Sequence, residues 1–269
     1  MQAPDASNAS YSEDLALIHD AAQAASDIAM RYFGNDDALD VQFKQGNSPV
    51  SAGDFAVDDY LRKTLMLARP AYGWLSEETT DTDPQHRINA KRTFVVDPID
   101  GTRAYISGGA CWCVSIAVVE GDKPVAGVLA CPVLKQTFAA ARGEGATKNG
   151  VALVSIQEQS AAMAIAGRGA LVSRLIDETN TDFTAHGHVP SLAYRIAMIA
   201  DGRLGGTFIR ANSHDWDIAA AALILHETGG MLKMAGDKAV LLNGPNPKKP
   251  AMVAAHPSLV QPMLRVADS

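Results

Sequence analysis

Apolar residues near the start of the chain recur with a helical period. Leu15, Ile18, Ala22 and Ala25 form one stripe behind Ser10 and Glu13, a capping-box pair, so the spacing predicts a helix over about 12–33 that stops at Gly34. Val41 to Lys44 alternates like a short strand, and residues 45–49 read as a loop. Val57, Tyr60, Leu61 and Leu65 then repeat the helical stripe behind Ser51 and Asp54. Trp74 to Ser76 reads as a strand that runs into Glu77 and Glu78, followed by a polar loop over 79–91. Phe94-Val95-Val96 reads as the end of a buried strand. Pro98, with no N–H to give, is expected to stop the ladder at Asp97. Further antiparallel strands are predicted over 113–119, 125–130 and 136–141, with Gly121 to Pro124 as a turn.

The pattern then changes. Ala162 to Ala166 and Gly205 to Ile209 read as strands, as does Ala251 to Ala255. Between them Leu171 to Glu178, Ser191 to Ala200 and Trp216 to Glu227 read as helices, the last capped at Gly229, and Pro257 opens a final helix. Two helices and a run of strands followed by alternating elements predict an α+β half packed on an α/β half. The turn-rich stretch over 145–155 places the boundary, giving subdomains 1–150 and 151–269.

Composition narrows the partners. The 269 residues are 47% hydrophobic and 20% charged, with a net charge of −7, ordinary for a globular protein and unsuited to a nucleic-acid polymer or an anionic membrane as main partner. No apolar run is long enough to span a bilayer, and the first ten residues contain no basic or apolar leader pattern. Cys111, Cys113 and Cys131 make an odd count without a scaffold spacing. They are read as reduced core thiols of a cytoplasmic protein, in preference to half of a zinc site that lacks its second pair.

Candidate chemistry gathers where the strand over 94–97 ends. Asp97 and Asp100 can project into one crevice, with the Gly101 and Thr102 amides beside them, a place for hard cations and a phosphate. The same string also serves as an ordinary turn in which aspartates cap backbone amides. The loop over 79–91 is long enough to bring the strand of Glu77 alongside that of Asp97, so that their carboxylates meet at one end of a sheet. Lys44 and Asp54 flank a loop. Asp217 occupies the first turn of a helix, where the helix dipole stabilises a carboxylate by about 0.3–1 kcal/mol.

Leu75-Ser76-Glu77-Glu78, Asp97-Pro98-Ile99-Asp100-Gly101-Thr102 and Trp216-Asp217-Ile218-Ala219-Ala220, with Glu227-Thr228-Gly229-Gly230 behind the last, together resemble the inositol monophosphatase superfamily of magnesium-dependent, lithium-sensitive phosphatases. The resemblance covers nearly the whole chain in order and spacing. It implies a layered αβαβα sandwich of the sugar-phosphatase type, with most metal ligands in the first subdomain and Asp217 in the second. It further implies that Glu77, Asp97 and the Ile99 carbonyl hold one Mg²⁺ and that Asp97, Asp100 and Asp217 hold a second, in a set of two or three ions. All are hard oxygen ligands of the kind Mg²⁺ takes. Thr102, Asp54 and Glu77 would orient and deprotonate a metal-activated water, and the Gly101 and Thr102 amides, with Lys44 nearby, would hold the phosphate. A homodimer is compatible with the resemblance. A phosphate-sensing protein on a dead version of the fold is the alternative of another class, disfavoured because Glu77, Asp97, Asp100, Thr102 and Asp217 are all present.

The strings around Ser48-Pro49 and Leu75-Ser76-Glu77-Glu78 look most like the 3′(2′),5′-bisphosphate nucleotidase branch, whose substrates include 3′-phosphoadenosine 5′-phosphate. Seven residues before Asp217, inositol-specific members carry a Glu that accepts from inositol hydroxyls, whereas this chain has Arg210, which donates and never accepts. Arg210 suits a second anionic group on the substrate, or else it is a surface residue pairing with Asp201 or Glu227. His214 is expected to act as a hydrogen-bonding neighbour of the ligands rather than as one of them. Inositol 1-phosphate, histidinol phosphate and a broad range of phosphomonoesters remain the alternative substrates.

Overall fold

The computed structural model describes residues 9–35, 40–43, 49–158 and 160–268. Helix α1 (Tyr11–Tyr32) starts with the Ser10–Glu13 capping box, and α2 (Ala52–Ala68) starts with the equivalent box of Ser51 and Asp54. Between them β1 (Gln42–Phe43) and β2 (Pro49–Val50) form a small antiparallel pair. Seven strands follow in one sheet: β3 (Gly73–Ser76), β4 (Arg92–Asp100), β5 (Cys113–Glu120), β6 (Lys123–Cys131), β7 (Gln136–Ala141), β8 (Ala146–Lys148) and β9 (Val151–Ala152). Their spatial order is their chain order. Only β3 and β4 run parallel, with α3 (Pro84–Asn89) lying in the connection between them.

The second sheet has the order β11 (Thr184–His186), β10 (Ala164–Ala166), β12 (Gly206–Ile209), β15 (Met252–Ala255), β13 (Met231–Met234), β14 (Lys238–Ala239). It is parallel across β11–β10–β12 and antiparallel beyond. Its helices are α5 (Gly169–Thr179), α6 (Leu192–Ala200), α7 (Asp215–Glu227) and α8 (Pro257–Asp268), and the short α4 (Thr102–Ile106) follows β4.

Three apolar cores separate five layers. Phe94, Val96, Val114, Ile116 and Val118 point from the first sheet onto α1 and α2. Val95, Ala117, Val119 and Leu129, from the other face of that sheet, meet Ile196, Ile199, Ile218 and Leu225 of α6 and α7, and these also cover the inner face of the second sheet. Leu175, Phe208, Val253 and Met263 bury the outer face against α5 and α8. The layered αβαβα expectation is met. Covering both faces of the first sheet explains why β4 and β5 read as unbroken apolar runs instead of alternating ones.

Two expectations need correction. Strand β4 does not stop at Asp97: the ladder to β5 shifts register between Asp97 and Asp100 and resumes at Asp100 opposite Cys113. Pro98 is tolerated because it falls in this bulge, where no ladder N–H is required. The stretch over 79–91 is not wholly loop, since Asp83 caps α3, with its side chain accepting from the His86 amide and Pro84 at the first helical position. The thiols are unpaired, Cys113 and Cys131 buried and Cys111 partly so. No helix among the described residues is long and apolar enough to cross a membrane.

Candidate active site

Parallel pairing of β3 with β4 sets Ser76 opposite Val96, and the Glu77 amide donates to the Val96 carbonyl at 3.2 Å. Glu77 and Asp97 therefore stand side by side where β3 ends. The amino end of α7 reaches the same place, and carboxylate oxygens of Glu77, Asp97 and Asp217 lie within 4.8 Å of one another. Asp97 is 1% exposed. The bulge folds the chain back on it, and the Ile99 amide donates to Asp97 Oδ1 at 3.1 Å. Burial pushes the Asp97 carboxyl well above the usual range, and the charges of Glu77, Asp100, Asp217 and Asp54 push it the same way. Asp217 is raised well above its usual value by burial and then by Asp100, against the lowering effect of the His214 amide, which donates to Asp217 Oδ2 at 2.8 Å.

Acids so crowded and desolvated repel one another unless a cation joins them. An all-oxygen donor set of this kind, with Ile99 lining the same cleft, fits a hard divalent ion such as Mg²⁺.

Asp100 lines the cleft but stands outside the three-carboxylate cluster. Its Oδ2 accepts from Ser191 Oγ at 2.5 Å and the Ala193 amide at 2.7 Å, and its Oδ1 from the Leu192 amide at 3.3 Å, so it caps the start of α6. Burial raises its pKa to about 6, and these three donors oppose that rise.

Gly101 has φ +100°, and a Cβ there would lie 3.0 Å from the Cys111 carbonyl oxygen, so only glycine makes this turn without strain. The turn presents Thr102 at the head of α4. Thr102 Oγ1 is 3.0 Å from the Ile99 carbonyl oxygen and 3.4 Å from Asp54 Oδ1. Asp54, 1% exposed, also accepts at Oδ2 from the Ser51 amide (2.8 Å) and hydroxyl (2.6 Å). The capping box of α2 thus orients the carboxylate that faces Thr102.

The cleft has a volume of about 920 Å³, and Glu77, Thr102, Asp217, His214, Arg195 and Arg210 all line it. The His214 ring stacks on Trp216 at 4.6 Å between centroids and lies 4.0 Å from Asp217 Oδ2, beside the cluster. Arg210 does not pair with Asp201 or Glu227. Asp201 is taken by Lys148 and Arg203, and Glu227 accepts from the Gly143 and Gly145 amides. Lys44 and Ser48 lie outside the described residues.

Several contributors went unnoticed in the sequence. Ser191 holds Asp100. Asp58, one helical turn beyond Asp54 on α2, accepts from the Ser76 hydroxyl and from Thr79 Oγ1 (2.9 Å), which fixes the strand end that carries Glu77. The i, i+4 spacing of Asp54 and Asp58 was a usable signal for the latter.

Residues 10–264 match the model of the inositol monophosphatase family. An inositol-1-monophosphatase of Mesorhizobium japonicum is 32% identical over 243 residues, 86% of this chain and 89% of that one. A 3′(2′),5′-bisphosphate nucleotidase CysQ of Aggregatibacter actinomycetemcomitans is 28% identical over 203 residues, 72% of this chain and 75% of that one. Among solved structures, the extragenic suppressor protein SuhB of Bartonella henselae superposes with a TM-score of 0.78 at 26% identity, covering 93% of this chain and 96% of that one. With the family match spanning nearly the whole chain, and the layered fold to match, this protein belongs to the inositol monophosphatase family of magnesium-dependent, typically lithium-sensitive phosphatases.

Proposed function

We propose that the protein hydrolyses a nucleoside 3′(2′),5′-bisphosphate, such as 3′-phosphoadenosine 5′-phosphate, to the nucleoside monophosphate and phosphate, with Mg²⁺ as its metal. The observation that carries the chemistry is the meeting of Glu77, Asp97 and Asp217 within 4.8 Å beside a large cleft that Glu77 and Asp217 line. Glu77, Asp97 and the Ile99 carbonyl would hold one ion, and Asp97, Asp100 and Asp217 a second. Mg²⁺ bound there supplies Lewis-acid charge for the phosphate oxygens and makes a water nucleophilic near neutral pH.

The chain's own groups do the rest. Asp54, anchored by Ser51, accepts from Thr102, so the Thr102 oxygen can accept a proton from a water and relay it toward a carboxylate. Glu77, lining the same cleft, helps to orient that water. The Gly101 and Thr102 amides offer donors for phosphate oxygens, and Lys44 adds positive charge. Arg210 supports the bisphosphate reading, because it faces this cleft and has neither carboxylate partner that would make it a surface ion pair. With subdomains 1–150 and 151–269, the cleft would lie between them. A cytoplasmic setting suits three unpaired thiols, and a homodimer is compatible.

The test is phosphate release with Mg²⁺ from 3′-phosphoadenosine 5′-phosphate and from inositol 1-phosphate at matched concentrations, each repeated in chelator. Faster Mg²⁺-dependent release from the nucleotide is expected. Preference for inositol 1-phosphate would overturn the substrate, and release unaffected by chelator would overturn the metal.

A further inference from the structure

A second cavity of about 470 Å³ lies against the carboxylate cleft, and the two share His188, Leu192, Arg195, Arg210 and Asn212 as lining. Arg195 and Arg210 therefore stand at the junction. Arg168 lines the far cavity together with the apolar side chains of Leu171, Phe208 and Met252.

The guanidinium of Arg195 is incompletely satisfied. Its Nε is buried without a hydrogen-bond partner, and its Nη1 reaches only the Val189 carbonyl, at 3.4 Å. The acid whose field reaches it is Asp100, but the Asp100 oxygens are engaged by Ser191, Leu192 and Ala193. Burial disfavours the charge on Arg195, and the nearby charge of Arg210 disfavours it further. Among the described residues, the arginines held in ion pairs are Arg69, Arg87, Arg92, Arg203 and Arg265, and none of the four lining these cavities, Arg103, Arg168, Arg195 and Arg210, is among them. Leaving guanidinium donors unmet in a partly desolvated wall, beside a like charge, is unfavourable in itself. An anion seated between the two side chains removes both penalties, and a phosphate has the geometry to take paired N–H donors from each.

We propose that Arg195 and Arg210 form a second anion subsite, extended by Arg168, which binds a phosphate carried on the alcohol half of the ester. This inference rests on the phosphomonoesterase reading above and deepens it. The ester's reacting phosphate lies at the carboxylates, its second phosphate lies at the junction, and the remainder of the alcohol extends into the far cavity. Selectivity then comes from the arginines and not from the metal ligands. A neutral polyol ester leaves the Arg195 donors unmet and is the poorer substrate.

The first experiment needs no catalysis. The chelated protein is titrated calorimetrically with adenosine 5′-phosphate, adenosine and inorganic phosphate, so that no metal holds the anion and the arginine variants separate the junction from the Gly101 and Thr102 amides. Adenosine 5′-phosphate is expected to bind at least tenfold more tightly than either of the others, and Arg195→Gln and Arg210→Gln are each expected to weaken it at least tenfold. Arg195→Lys should recover part of the loss. Adenosine binding as tightly as its phosphate would overturn the subsite, and inorganic phosphate binding as tightly would show an anion site unconnected with the alcohol.

The second compares kcat/KM of the Mg²⁺-loaded enzyme for adenosine 3′,5′-bisphosphate and adenosine 3′-phosphate, which differ only in the 5′-phosphate. Arg195→Gln should lower the first by about 30-fold more than the second. Equal losses would overturn the proposal, and the exposed Arg168→Gln, expected to shift the ratio in the same direction, guards against a mere folding defect at position 195. Should the wild-type enzyme release phosphate from neither ester, the functional reading fails, while the titration still decides the subsite.

Discussion

Asp97 concentrates the cost of the site in one side chain. It is buried among four other acids, each raising its pKa, so its ionisation opposes folding when no cation is bound. The sign follows from linkage. A carboxyl whose folded pKa lies above its unfolded value near 4 binds more protons in the native state, so the stability of the metal-free protein falls as pH rises above about 4. Asp100, raised to about 6, adds to that loss between about pH 4 and 6. In chelator, the thermal midpoint of the wild type relative to Asp97→Asn is expected to decline from pH 4.5 to 7.5, and Mg²⁺ should reverse most of the decline. A difference that stays flat would show that the cluster is not strained. Legibility at this scale was uneven. The carboxylates stood out because each sits beside a strand end or a helix start, marked by Pro98, Gly101 or the helical run after Trp216. Arg195 did not, since a single arginine within Leu192 to Ala200 looks like the polar edge of an amphipathic helix. Only the fold shows that this edge faces two cavities.

At the scale of elements, the position of Asp217 depends on how the start of α7 is held. Asp215 is fully buried there. Lys249 Nζ lies 2.6 Å from its Oδ1, and the Asn243 amide donates to its Oδ2 at 2.7 Å. Arg87, from α3, then donates to the Asn243 side chain at 2.7 Å and the Gly244 carbonyl at 3.0 Å. One buried network therefore links the β3–β4 connection, the 243–249 segment and α7. Lys249→Met would leave Asp215 buried without its cation, and an urea-unfolding loss of about 3–5 kcal/mol is expected. A loss below about 1 kcal/mol would mean that the pair does not anchor the helix. The long helices and central strands were legible because their periodicity or length carried the signal. Strands β8, β9, β11, β13 and β14 are two to four residues long, and α3 and α4 are six and five. Segments so short are set by their neighbours, and Pro98 misled because a bulge meets its missing N–H as well as a strand end does.

At the scale of the whole molecule, α6 and α7 are the shared middle layer. They pack on both sheets, and their amino ends carry Ser191, which holds Asp100, and Asp217. The first sheet delivers Glu77 and Asp97 to the same point, so the site exists only when both sheets grip these helices. Gly127 allows the close contact, because a Cβ on it would lie 3.0 Å from Ala220 Cα of α7. Gly127→Val is expected to destabilise the protein by at least about 1–3 kcal/mol in chemical unfolding and to weaken Mg²⁺ stabilisation with it. An unchanged midpoint would show that α7 can move without loss. The layered class and the reaction were legible because the motif segments follow one another in order along nearly the whole chain, whereas the arginines proposed to read the alcohol half sit on α6 and just beyond β10 and β12 and meet only in space.

The central claim is that the three-carboxylate cluster is the metal-dependent centre of phosphate-ester hydrolysis. Its most direct test is Mg²⁺-dependent phosphate release by wild type and by Asp97→Asn, with circular dichroism to confirm folding. The account predicts a loss of at least about a thousandfold in the variant, with its fold retained and its Mg²⁺ stabilisation gone. Near-wild-type release from folded Asp97→Asn would contradict it.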